Sequence, residues 1–223
     1  MSFTRLPLIA RLPLTARLVL AGAVHLVLAT AVGAQQPEFS ARVDAQTLAV
    51  VQPLLEDALR DSLPVAALRA KVLEGVAKRV PAAQIGRVVS ELADEFRAVR
   101  TGLRERLPST ALADAEIVAA AMASRHGVAL DDLRAVWESR PNGSSLDVAV
   151  TVLGELVRRG VPAQEATEVM SYLVQERVPL SLAAQIPGKF DGAAGAGVSP
   201  VAALTEALRV LNIPNPSGRR PGG

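Results

Sequence analysis

The sequence predicts an all-α protein, an irregular helical bundle or a short stack of helix hairpins, following an N-terminal signal peptide. Three observations carry that expectation. Val-Pro and Leu-Pro breaks recur along the chain, the apolar residues between them fall at helical spacing, and runs with strand alternation are scarce.

The breaks are Ser62-Leu63-Pro64, Arg79-Val80-Pro81, Arg106-Leu107-Pro108, Gly127-Val128-Ala129, Gly160-Val161-Pro162, Arg177-Val178-Pro179 and Gly197-Val198-Ser199-Pro200. In the first five a second apolar residue follows the Val or Leu five positions later: Leu63 with Leu68, Val80 with Ile85, Leu107 with Leu112, Val128 with Leu133, Val161 with Ala166. That is the separation of N′ from N4, whose side chains meet across a helix entrance as a hydrophobic staple. Proline at such a start presets φ and gives up an N–H that has no intrahelical partner. Gln84 and Glu165 stand third in their helices, where a side chain can fold back onto free amides. The same breaks stop the preceding helix. Gly127, Gly160 and Gly197 suit the left-handed position beyond a helix end, and Lys78, Arg79, Arg158 and Arg159 suit the negative end of the dipole.

In chain order, helices are expected at about 43–61, 64–78, 81–104, 110–125, 129–139, 144–159, 162–176, 179–186 and 200–211, with ends uncertain by roughly two to four residues. Leu68, Val72 and Val76 share one face of the second; Ile85, Val88, Val89, Leu92, Phe96, Val99 and Leu103 form a long stripe on the third. Leu146, Val150, Leu153 and Val157 make another stripe, as do Ala166, Val169, Met170, Leu173 and Val174. Several breaks recur about every 17 residues, so that a helix pair occupies about 33, the pitch of several helix-hairpin repeats, but the spacing is irregular and the large aromatic positions of tetratricopeptide repeats are missing. The expected organisation is a signal peptide at 1–34, a polar tail at 35–42, a helical domain at 43–212 with a Gly/Ala-rich connection at 188–197, and a disordered Pro/Gly/Arg tail at 213–223 without core residues.

The leader carries Arg5, Arg11 and Arg17 and no acid before an apolar run from Leu18 to Ala34, broken by His25 and Thr30. Val32-Gly33-Ala34 presents small residues to a signal peptidase and Gln35-Gln36-Pro37-Glu38 begins a polar stretch, so cleavage is expected after Ala34. An uncleaved signal anchor is the alternative, because the apolar run approaches bilayer length. The expected location is extracytoplasmic, periplasmic or secreted, with no membrane span after cleavage.

Half of the residues are hydrophobic and only 3% aromatic, so the core is built from Ala, Val and Leu. Removing the leader takes three of 24 basic residues and leaves 21 against 22 acids. A nearly neutral chain with few aromatics lacks the basic stripe and stacking rings of a nucleic-acid binder. The absence of cysteine removes thiolate metal sites and cysteine nucleophiles. No cofactor and no metal site is expected.

Several clusters invite a chemical reading. His126, the one histidine after the leader, lies near Ser124, Asp131 and Asp132, but helix-end roles account for all four. Glu91, Asp94 and Glu95 are interleaved with Arg87, Arg97 and Arg100, as on a solvated charged face. Gly192-Ala193-Ala194-Gly195-Ala196-Gly197 lacks the strand and the Lys-Ser/Thr of a phosphate loop and is expected to be a connector. Asn142-Gly143-Ser144 is expected to form a turn.

The remaining candidate is Trp137-Glu138-Ser139 followed by Arg140-Pro141-Asn142-Gly143-Ser144. A Glu-Ser pair at a helix end in an exported helical protein resembles the catalytic corner of lytic transglycosylases. That resemblance, which covers about a dozen residues, implies Glu138 as general acid on a glycosidic bond. The Gly-Leu-Met-Gln segment that follows in that family is replaced here by Leu146-Asp147-Val148-Ala149. Two functions are therefore expected: a non-enzymatic interaction or structural module that binds another envelope protein, or, alternatively, a small envelope glycan hydrolase using Glu138.

Overall fold

Fold and packing are those of a computed structural model that describes residues 36–107, 111–141, 144–195 and 197–216. The expected signal peptide, the Asn142-Gly143 turn and residues 217–223 lie outside the described residues. Among those described there are eleven helical segments and no strand: α1 Gln36–Ala41, α2 Ala45–Arg60, α3 Val65–Ala77, α4 Ala82–Arg106, α5 Asp114–Arg125, α6 Leu130–Glu138, α7 Asp147–Arg158, α8 Ala163–Gln175, α9 Leu180–Ala183, α10 Ile186–Ala193 and α11 Pro200–Val210. The all-α expectation is met, and every expected helix is present with its ends within four residues.

Six helix ends share one closure. The N–H groups of Leu63, Val80, Val128, Val161, Val178 and Ile213 donate to the carbonyls five residues back, those of Ala58, Gly75, Ala123, Leu156, Leu173 and Leu208, at 2.8–3.1 Å. The residue before each donates to the carbonyl three back, at 2.9–3.2 Å. This is the Schellman pair of bonds, and it satisfies carbonyls that the helix leaves without partners. It requires φ > 0 at the intervening residue, here Ser62, Arg79, Gly127, Gly160, Arg177 and Asn212.

The apolar residue of each closure also faces forward. Leu63, Val128 and Val161 are buried, as are the staple partners Leu68, Leu133 and Ala166. Val80 is half-buried against the buried Ile85. One side chain thus clamps the end of one helix and the start of the next. The expected pairing of Leu107 with Leu112 across a helix start is not found: the Leu107 N–H donates four residues back, to the Leu103 carbonyl at 2.8 Å, and Leu112 precedes α5.

The structure corrects several details. Pro64, Pro81, Pro162 and Pro179 are N-caps rather than the first residues inside their helices. Lacking an N–H, Pro81 and Pro162 offer Gln84 and Glu165 nothing to accept from. Gly197 has φ 84°, but Val198 donates only as far back as Gly195, at 3.1 Å, so this turn is not a Schellman closure. Residues 36–41, expected as polar tail, form α1 and bury Phe39, with Val43 buried just beyond. The expected Gly/Ala connection starts with α10, whose Ile186 and Phe190, four apart, enter the core. Pro187 is tolerated there because the first turn needs no N–H. Ile213, placed with the tail, is a core residue 5% exposed, and Asn212-Ile213-Pro214 repeats the break motif.

Packing is local along the chain. The principal contacts join α2 with α3 and α4, α4 with α3, α5 and α6, α5 with α7, α6 with α8, α7 with α8, α9 and α10, and α10 with α11. None of these principal pairs is more than three helices apart in order. The tightest crossing explains the alanine content. A Cβ on Gly154 of α7 would sit 2.8 Å from Ala123 Cα, and α5 turns Ala119, Ala120, Ala121 and Ala123 inward. A bulkier residue at either face would push the backbones apart.

The closures predict opposite responses to glycine. Gly160→Ala places a Cβ at φ 88° and is expected to lower stability by about 1 kcal/mol, whereas Arg79→Gly relieves φ 56° and is expected to raise it by about 0.5–1 kcal/mol. Urea unfolding reads both; shifts of the same sign would contradict the assignment.

Candidate functional site

Glu138 ends α6 with its side chain 54% exposed, and its nearest cation is Arg134 of the same helix, at 3.8 Å. Trp137 beside it is a core residue, and its indole N–H is buried without a hydrogen-bond partner among the described residues. Ser139 Oγ donates to the Val136 carbonyl at 2.7 Å, and Arg140 turns back to α5. The Trp-Glu-Ser corner is therefore divided between core, solvent and helix end.

His126 is the C-cap of α5 and Ser124 lies in its last turn; His126 Nδ1 and Ser124 Oγ are buried without hydrogen-bond partners among the described residues. Asp131 does not join them. It accepts from Arg106 Nε at 3.0 Å, which holds its carboxyl below the usual range, while Asp132 accepts from the Ala129 N–H at 3.3 Å. Three acids of α4 are matched in the same way: Glu91 with Arg87, Asp94 with Arg97, and Glu95 with Arg125 through two bonds of 2.5 and 2.9 Å. Among the described residues no group of three or more His, Cys, Asp or Glu is arranged to hold a metal ion.

A carboxylate that sequence reasoning passed over is the most buried. Glu116 is 2% exposed, and each oxygen is occupied: Oε1 accepts from Arg140 Nη1 at 2.8 Å and from the Leu146 N–H at 3.1 Å, and Oε2 from the Ala113 N–H at 3.0 Å. One side chain thereby joins the start of α5, the segment after α6 and the N-cap of α7. The available signal was Ala113-Asp114-Ala115-Glu116, with acids in a first turn, obscured by starting the helix at 110.

Arginines tie other helices together. Arg97 donates from Nε and Nη2 to Asp61 Oδ2 at 3.1 and 2.7 Å, and Arg100 Nη1 donates to the Asp61 and Ser62 carbonyls at the end of α2. Arg159 grips Asp191 of α10 through Nε and Nη2 at 2.8 and 2.9 Å, and also holds Glu155. The bond from Arg159 lowers the Asp191 pKa; burial pushes Glu155 up, but hydrogen bonds from Arg158 and Arg159 outweigh it and leave it lowered.

The least committed surface lies at the other end of the chain. A groove of about 350 Å³ runs between α1, α2 and α3, lined by Phe39, Leu48, Leu55, Leu59 and Val65 with Ser40, Gln52, Glu56 and Arg69. Leu59 is 62% exposed. The Arg69 guanidinium lies 5.6 Å from the centre of the Phe39 ring, and no carboxylate among the described residues pairs with it. Gln52 Nε2 donates to Glu56 Oε1 at 3.0 Å. In two other grooves, charges already face each other: Arg97 with Asp61, and Lys71 and Lys78 with Glu74.

Comparison with protein-family models, with curated proteins and with solved structures gives no match for the chain.

Two outcomes are expected. Glu116→Ala leaves two amides and an arginine without their acceptor and is expected to cost about 2–4 kcal/mol, against less than about 0.5 kcal/mol for Glu138→Ala, measured by urea unfolding. Asp191 and Glu155 bind protons less readily folded than unfolded, so their contribution is complete above the ordinary carboxylate range and is lost as pH falls through their folded values. The melting-temperature gap between wild type and Arg159→Gln at pH 7 is expected to narrow as pH falls below the ordinary carboxylate range, as thermal melts across an acid pH series would read.

Proposed function

We propose that the mature chain, cleaved after Ala34, is an extracytoplasmic, non-enzymatic interaction module of the cell envelope that binds another envelope protein through the groove between α1, α2 and α3. The observation that carries this reading is the exposure of Leu59 at 62%, on the wall of a groove whose lining also includes the half-buried Leu48 and Val65. An apolar side chain left in water beside other apolar groups gains free energy when a partner covers it. The carboxylates singled out for chemistry support the same reading: Glu138 stands in solvent near Arg134, while Glu95, Asp94 and Asp131 are held by arginines that maintain the fold.

Cleavage after Ala34 would leave Gln35 immediately before α1, so the groove would stand at the amino end of the secreted product. Among the described residues no helix is long and apolar enough to cross a membrane. Fractionation followed by amino-terminal sequencing is expected to find a product starting at Gln35 outside the cytoplasm. A photo-crosslinking residue at Leu59 is expected to give a discrete adduct there, with none from the same probe at Glu138. Intact chain in the cytosol would overturn the location, and equal labelling from both positions would overturn the interface.

A further inference from the structure

We infer that the groove between α1, α2 and α3 receives an amphipathic helix of a partner protein, about three turns long, with an acidic residue on the flank of its apolar stripe that pairs with Arg69. This rests on reading the groove as an interface and names what fills it.

The shape comes from α2. Leu48, Leu55 and Leu59 line one side of that helix, and the distance from Leu48 to Leu59 is about 16 Å at helical rise, the length of three turns. Phe39 from α1 and Val65 from α3 also line the groove, with Phe39 and Leu55 buried at its floor. The half-buried Leu48 and the exposed Leu59 remain to meet side chains at i, i+3 or i+4, and i+7 of a docked helix. Gln52 and Glu56, the polar pair along it, bond to each other and leave the apolar walls to the guest.

The charge comes from Arg69. Every other arginine at this end of the bundle that bridges helices has an oxygen partner: Arg97 holds Asp61 and Asp94, and Arg100 holds the carbonyls at the end of α2. Arg69 instead lies over the Phe39 ring, half-buried, with Nε buried and without a hydrogen-bond partner among the described residues. A guanidinium fixed by a ring and lacking an acid offers a planar fork that a carboxylate fills with two bonds. The leader of this chain does not complement it, because residues 1–17 carry three arginines and no acid.

A displayed library of three-turn helices, randomised along one apolar stripe and its flanks, tests the inference on the mature chain. Selected sequences are expected to carry Leu, Phe or Met on the stripe and Asp or Glu on one flank. Their synthetic peptides are expected to lose about tenfold or more in affinity for the Leu59→Asp and Arg69→Glu proteins. Selection on Arg69→Glu is expected to replace the acid by Lys or Arg, a charge swap that general unfolding would not produce, and circular dichroism verifies that both variants are folded. Failure to enrich any helix over the Leu59→Asp control, an absence of acidic preference, or displacement by laurate without any helix binding would overturn it. A chain found in the cytosol would overturn the location alone, since the selection is done on purified protein.

Discussion

The fold depends on a single economy of backbone and side chain: at four helix junctions, those of Leu63, Val80, Val128 and Val161, one apolar residue closes the helix behind it and opens the helix ahead. Its N–H occupies the carbonyl five residues back, and its side chain meets the apolar residue five positions on. Leu63, Val128 and Val161 do both while fully within the core. A helix normally leaves four amides at its start and four carbonyls at its finish to be satisfied, and a chain of short helices has many such ends. Here the correction is built into three or four residues at each of these turns, so the helices can be short and the turns tight without exposing backbone to the core.

The junctions were legible because proline and spacing record them directly. What was not legible follows from the same physics. Ser62, Arg79, Arg177 and Asn212 occupy the left-handed region although only glycine does so without penalty, and nothing in a serine or an arginine advertises φ > 0. Asn212 escaped notice for a second reason: Ile213-Pro214 stands beside Gly/Pro/Arg composition, which masks a single buried isoleucine. Short helices were lost likewise. α1 offers only Phe39 to the core, and α10 mixes Pro187, Gly188 and Gly192 with just two anchors.

Charge pairing is visible in sequence only where it is local, and even on α4 Glu95, Arg97 and Arg100 reach other helices. Alternating signs along one helix are visible in sequence because partners lie three or four residues apart, as Asp94 and Arg97 do. Glu116 and Arg140 are separated by 24 positions, and Arg159 and Asp191 by 32, so only the fold brings them together. The same holds for the groove. Leu59 looks like any other leucine of an amphipathic helix until α1 and α3 are placed around it, and Arg69 is distinctive only through the partner it lacks. Glu138, by contrast, drew notice from its neighbours in sequence, and those neighbours point into different surroundings.

The closures at α2, α3, α5, α7, α8 and α11 each link atoms no more than five residues apart. Little chain entropy is needed to make them, so they can form while distant segments are still apart. The direction in which the next helix leaves each closure is then set locally, and the search for the native arrangement is reduced to docking pre-angled hairpins.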